Sequence, residues 1–477
     1  MSQGLPDNPS AANNGRPPWD RGAPPGRVVQ DGGIPHETLT EKIAIAMLQT
    51  LKCTSQLWTT LRAGWLRAPC GRAVRAAAIP LSLLTATLHA ADLPDPLVAK
   101  DGTKITTARE WREKRRPELL ELFAREMYGV SPPKPEKLTF EVFDRDTQAL
   151  NGKATRIQTA IYPGGKPGPR IDLLVYVPNG AKAPVPAFLG LNFGGNHSVH
   201  ADPAIRLTES WIDSREPGSD HRATDEMRGK GAKQWNVEEI IARGYALATM
   251  YREDVAPDHE PYFATGIPPL YPDLQQRQDN FTTMAAWAWS LSRALDVIEK
   301  EPSIDSKRVA LFGFSRLGKA ALWAGANDER FALVISNESG AGGAKLFHRG
   351  VGEDIKRLNT VFPHWFAKSF RKYIGRDKDL PFDQHMILSL IAPRPLYVAS
   401  AIDDKNSDPE GEFAGAKAAE PVYRLLGAEG LPSDTWPPLD TPVQGGIGYH
   451  VRTGKHDVLP FDWQQYLAFA DKHLKKR

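Results

Sequence analysis

The sequence predicts a doubly wound α/β fold, and three observations predict it. Short, continuously apolar runs at Gly244–Met250, Val309–Phe314, Leu333–Ser336 and Pro395–Ala401 are separated by helical stretches such as Met284–Glu299 and Leu317–Gly325. That alternation marks parallel strands buried on both faces. Earlier runs at Leu138–Phe143, Thr155–Tyr162, Ile171–Val177 and Val185–Asn192 alternate apolar and polar residues more, as antiparallel edge strands do. A chain of 477 residues, 41% hydrophobic and 25% charged, is long enough to bury a substantial core.

The elements follow in chain order. Residues 1–36 are rich in Pro, Gly, Asn and Asp without apolar periodicity, and read as disordered. Residues 38–66 can form one helix. Arg67, Arg72 and Arg75 then precede an apolar stretch from Ala76 to Ala91 that ends in small residues, the parts of a secretory signal. Cleavage near Ala90 or Ala91 fits, although Leu88 or His89 three residues from the end matches poorly. The expected division is a leader over 1–60, a signal over 61–91, and a single catalytic domain over 92–477, secreted or periplasmic. An insertion at about 196–240 is too polar and long for a simple connection, and such loops at strand ends commonly build binding sites. Residues 107–129 read as a helix with Trp111, Leu119, Leu122, Phe123 and Met127 on its apolar face, and the Lys114–Arg116 run as a solvated face.

Composition excludes several classes. A net charge of +3, from 60 Lys+Arg against 57 Asp+Glu, argues against a dedicated nucleic-acid binder. No apolar run reaches the roughly 18 residues of a spanning helix. The two cysteines, Cys53 and Cys70, precede the catalytic domain, so no disulfide, thiolate metal site or cysteine nucleophile is expected there. Gly340–Gly343 follows a strand but lacks the lysine and serine of a phosphate loop. No cofactor and no metal are expected, and a monomer without membrane contact is.

The most informative segment is Val309-Ala-Leu-Phe-Gly-Phe-Ser-Arg-Leu-Gly-Lys319. A strand running through Gly313-x-Ser315 into a helix is a nucleophile elbow, which lifts a serine hydroxyl out of the sheet. The amide of Arg316 then faces the site of attack, and the helix N-terminus favours a developing oxyanion. The usual second glycine is replaced by Leu317, with Gly318 following. The fold class is therefore an α/β-hydrolase fold, a three-layer sandwich around a mostly parallel central sheet.

Such a serine needs an acid and then a histidine downstream. His456, in Arg452-Thr-Gly-Lys-His-Asp457 before a final helix at Trp463–Leu474, is the best base; His450 is the nearest rival, and His348, His364, His385 and His473 are weaker. Two acids compete: Glu338 follows the strand Leu333–Ser336, and Asp403 with Asp404 follows Pro395–Ala401. The turn Asn192-Phe-Gly-Gly-Asn196 offers the second oxyanion donor, and the Arg316 guanidinium can reinforce it.

These residues resemble the glucuronoyl esterases, carbohydrate esterase family fifteen. The elbow is similar to that family's G-x-S-R-x-G-K pattern. Further likeness lies in Arg116-Pro-Glu-Leu-Leu-Glu-Leu-Phe123, Leu191-Asn-Phe-Gly-Gly-Asn-His197, His221-Arg-Ala-Thr with Arg228-Gly and Trp235, Glu338-Ser-Gly-Ala-Gly-Gly-Ala344, Phe362-Pro-His-Trp-Phe366, Ile391-Ala-Pro-Arg-Pro395 and Asp408-Pro-x-Gly-Glu-Phe413. The resemblance implies cleavage of 4-O-methyl-glucuronoyl esters between glucuronoxylan and lignin alcohols. It implies Ser315 as nucleophile, His456 as base, Arg316 as oxyanion stabiliser, and Glu338 or Asp404 as the acid of two alternative arrangements. It also implies Lys319 and Glu353 as partners of the uronate hydroxyls. The chain departs from the family at Asn406, where many members carry a tryptophan, and at Arg252 in Tyr251-Arg-Glu-Asp254. Acetyl-xylan or small-ester hydrolysis by the same triad, and a non-catalytic carbohydrate-binding module, are the alternatives.

Overall fold

The computed structural model describes residues 93–475, except 137, 183 and 214–219. The chain divides into two units, Met1–Thr85 and Ala86–Arg477. The disordered leader, the helix at 38–66, the signal segment and both cysteines lie outside the described residues.

Ten strands form one sheet: β1 (Thr139–Asp146), β2 (Ala154–Tyr162), β3 (Ile171–Pro178), β4 (Val185–Asn192), β5 (Ala246–Tyr251), β6 (Ile304–Phe314), β7 (Leu333–Asn337), β8 (Leu396–Ala401), β9 (Val443–Gln444) and β10 (Ile447–Arg452). Their order is β1-β2-β3-β5-β4-β6-β7-β8-β10-β9. The first three are antiparallel to their neighbours, the six from β5 to β10 are mutually parallel, and β9 closes the far edge antiparallel. Pairing of Leu189 with Leu311 and of Phe314 with Asn337 brings the carboxyl ends of β4, β6 and β7 side by side. Ligand sites of parallel sheets lie at those ends.

The pleat of β6 sends Val309 and Leu311 to one face and Ala310, Phe312 and Phe314 to the other. The first face packs against α1 (Arg116–Phe123), α3 (Thr283–Ile298) and α4 (Arg316–Asn327), through residues such as Phe123, Trp287 and Leu322. The second packs against α2 (Val237–Ala242) and α5 (Pro460–Leu474), where Trp463 meets Phe312 at 4.8 Å between ring centroids. Sheet and two helical layers make the three-layer sandwich that the sequence predicts.

Three differences have physical causes. β2 and β3 are buried on nearly every residue rather than on alternate ones, because the start of the insertion covers them: Arg156 pairs with Asp202, and the Gln158 amide donates to the Ala204 carbonyl at 2.9 Å. β10 escapes the sequence because polar His450 and Arg452 interrupt the pattern, both satisfied internally by Asp462 of α5, and the edge strand β9 is only two residues long. The Lys114–Arg116 run is not a solvated face. Lys114 pairs with Asp101, but Arg115 donates to the Pro96 carbonyl at 3.0 Å and Arg116 to that of Ala326 at 2.8 Å. The long stems bury while the guanidinium heads cap helix and loop carbonyls.

Candidate active site

Ser315 sits between β6 and α4 at φ 57° and ψ −130°, a strained conformation for a residue with a side chain. Two close approaches make the bend possible. A Cβ on Gly313 would lie 2.2 Å from the Leu317 carbonyl oxygen, and the Ser315 amide donates to the Asn337 carbonyl at 2.9 Å. The bend is therefore tied to the end of β7, next to Glu338.

His456 lies on that side too. Its ring packs against Phe314, the residue before the serine, at 4.6 Å between centroids. Its Nδ1 stands 2.6 Å from Asp404 Oδ2 and 3.0 Å from Glu338 Oε2. Carboxylates only accept, so Nδ1 carries the proton and Nε2 is left as the basic nitrogen. Burial opposes the charged imidazolium, but the hydrogen bonds to Asp404 and Glu338 outweigh it and raise its pKa to about 9.

The two acids differ in their surroundings. Burial works to raise the Asp404 pKa, and the bonds from His456 and Ser407 reverse it to below the usual carboxylate value. Glu338 is fully buried at a positive φ, held by Arg452 Nη2 at 2.6 Å and by the Asp457 amide at 3.2 Å. Burial raises its pKa to about 7 despite His456 and Arg452. The structure thus brings both predicted acids to the same nitrogen, while Asp403 is left out. His450, the rival base, lies in the core between Tyr397 and Asp462.

The turn after β4 borders the same bend. Gly195 adopts φ 87°, and the Asn192 side-chain Nδ2 donates to Asn196 Oδ1 at 2.8 Å. Asn196 is in turn anchored on the Asp172 carbonyl at 2.8 Å. Phe193 packs edge-on against Phe314 at 5.8 Å, so the predicted oxyanion turn and the serine bend share a wall. On the other side the Arg316 guanidinium lies over Trp365 at 4.7 Å and Phe362 at 5.2 Å, and its Nη1 donates to Asp258 at 2.5 Å.

Lys319 and Glu353 meet each other at 3.5 Å. The Lys319 ammonium also donates to the carbonyls of Ser339 at 2.6 Å and Ala341 at 2.7 Å, clamping the glycine-rich loop after Glu338. Burial lowers its pKa. The backbone carbonyl of Asn406 accepts from the Glu353 amide at 3.0 Å. Sequence reasoning missed three contributors: Asp258, Trp365 and Arg452. Trp365 and Arg452 lie within segments it quoted, without a role; Asp258 is a charged residue in a turn whose partners are distant in sequence.

The comparisons agree with this architecture. A family model described as "Glucuronyl esterase, fungi" matches residues 231–427. Carbohydrate esterase MZ0003, from an unknown prokaryotic organism, is 47% identical over 388 residues, covering 80% of this chain and 89% of that protein. A 4-O-methyl-glucuronoyl methylesterase of Podospora anserina is 28% identical over 403 residues, covering 81% of this chain and 68% of its own. Among solved structures, a glucuronoyl esterase from Solibacter usitatus superposes with a TM-score of 0.77 at 48% identity, over 80% of this chain and 98% of that one. Near-half identity along almost the full length of such relatives is more than a shared fold requires, and this chain belongs to the glucuronoyl esterases, carbohydrate esterase family fifteen.

Proposed function

We propose that the protein hydrolyses esters of glucuronic or 4-O-methyl-glucuronic acid, with Ser315 as nucleophile and His456 as general base. The observation that carries the reading is the imidazole pinned through Nδ1 by Asp404 and Glu338 and packed on Phe314, the residue before a serine held at a strained strand-to-helix bend. Nε2 of His456 takes the hydroxyl proton as Ser315 Oγ attacks the uronate carbonyl carbon. The carbonyl oxygen becomes an oxyanion, received by the amides of Arg316 and of the Phe193–Asn196 turn and by the Arg316 guanidinium. Each such donor contributes about 3 kcal/mol to the barrier reduction. The alcohol leaves with the proton from His456, and water repeats the cycle on the acyl-enzyme to release the free uronate.

In this reading Lys319 and Glu353 orient the sugar hydroxyls at the end of the clamp between them. The natural substrate is the ester joining glucuronoxylan to lignin alcohols, and the enzyme works as an exported monomer. Among the described residues no helix is long and apolar enough to cross a membrane. Benzyl glucuronate tests the assignment: Ser315→Ala should lose turnover by about 10⁶-fold, and covalent labelling by a fluorophosphonate should disappear with it. Retained turnover in Ser315→Ala removes Ser315 from the mechanism. Methyl glucuronate set against acetylated xylose separates uronate specificity from small-ester hydrolysis, and a preference for the acetyl ester favours the latter.

A further inference from the structure

The guanidinium of Arg316 does not stand alone. Asp258, in the loop after β5, has a side chain only 1% exposed and accepts four hydrogen bonds. Its Oδ1 takes His364 Nε2 at 2.8 Å and Trp365 Nε1 at 2.7 Å. Its Oδ2 takes Arg316 Nη1 at 2.5 Å and also the Nη1 of Arg252. One carboxylate therefore ties three segments together: the start of α4, the turn after β5, and the Phe362–Phe366 loop. The Arg252 guanidinium also lies over the Phe193 ring at 5.3 Å, and it meets Glu253 at 3.4 Å. Phe193 belongs to the other half of the oxyanion site. Buried Arg252 and half-buried Arg316 are thus matched by two buried anions, Asp258 and Glu253. The group is largely withdrawn from water yet charge-balanced, as such ions must be.

We propose that Asp258 is the positioning residue for Arg316, and that Arg252 locks Asp258 in place while bracing the Phe193 turn. The proposal rests on the role given to Arg316 above. A guanidinium with several rotatable bonds loses its value as a transition-state donor unless its orientation is fixed before the charge forms. Asp258 supplies that fixing through one guanidinium nitrogen. Arg316 Nε, which is buried, makes no hydrogen bond to protein. Arg252 is one of the two positions, with Asn406, at which the sequence reading expects a departure from the family, and in this geometry it acts on the oxyanion site.

The test is a mutant cycle in the full chain. Kinetics are measured with benzyl glucuronate and, in parallel, with 4-nitrophenyl acetate; thermal unfolding is followed throughout. Asp258→Asn should lower kcat by roughly 10- to 100-fold with little change in KM, the scale on which a misplaced group costs rate. Because Asp258→Asn alone leaves Arg252 and Arg316 facing one anion, the double variant Asp258→Asn/Arg252→Met restores the charge balance, and its kcat loss should be at least as large because the brace on Phe193 goes too. In an Arg316→Met background, Asp258→Asn should produce no further loss in kcat. Losses that multiply in that background, a kcat unchanged in the charge-balanced variant, or a loss that tracks the melting temperature across variants would each overturn the proposal. A wild-type protein inactive on benzyl glucuronate but active on the acetate overturns the uronate assignment alone, since the same cycle can then be read with the acetate.

Discussion

At the scale of single residues the proposed mechanism turns on one imidazole nitrogen with two acceptors. Asp404 is the nearer and is held ionised; Glu338 is committed to Arg452 and the Asp457 amide as well. Asp404 should therefore be the stronger orienter. Asp404→Asn is expected to lower kcat by about 100-fold and Glu338→Gln by about 10-fold, each backed by the surviving acid. The double variant should approach the ~10⁴-fold loss of a triad without its acid. Steady-state kinetics on benzyl glucuronate decide, and a larger loss for Glu338→Gln would reverse the ranking. The raised pKa of His456 has two consequences of known sign. The base form is needed for attack, so kcat/KM should climb with pH through a limb well above the ordinary histidine value of 6.5, and Asp404→Asn should move that limb down. The folded protein also binds this proton more tightly than the unfolded chain. That contribution to stability is full below pH 6.5 and fades as pH rises toward about 9. Urea midpoints of wild type and His456→Gln should accordingly converge across that window.

At the scale of elements, two pieces of backbone hold the site. The first is the elbow, where any side chain on Gly313 meets the Leu317 carbonyl. Gly313→Ala should destabilise by roughly 1–3 kcal/mol, the usual range for a forced contact, and should lower kcat together with stability because Ser315 moves with the bend. Denaturant titration beside kinetics checks both. The second is the junction of β10 and α5, where fully buried Asp462 accepts from His450 at 2.8 Å and from Arg452 at 2.9 Å. Arg452 is the group that holds Glu338. Asp462→Ala leaves Arg452 short of an acceptor in the core and should cost about 3–5 kcal/mol by urea unfolding. The sequence showed the elbow because its residues are contiguous and Gly313 is obligatory. It hid β10 because a strand that carries buried His and Arg breaks the apolar pattern on which strand recognition depends.

At the scale of the whole molecule, the sheet is a scaffold that delivers five segments to one end. The serine comes from β6, Glu338 from β7, Asp404 from the end of β8, His456 from the loop after β10, and the glycine turn from β4. A protein trimmed to begin at Leu93 should fold and keep the kcat/KM of the full chain, because every group that builds the site lies in the described part. A trimmed protein that is soluble but tenfold slower would show that the leader contributes to catalysis.

By itself the sequence determined the alternation of strands and helices, the elbow with its serine, and the histidine before the last helix, because each is written in neighbouring residues through periodicity, glycine geometry or chain order. Only the tertiary structure decided that both acids reach one nitrogen, that Arg115 and Arg116 turn inward, and that Asp258 gathers Arg316, Arg252, His364 and Trp365. Those facts depend on the burial and pairing of charges that lie far apart along the chain, and the partner that makes a buried charge affordable has no local signature.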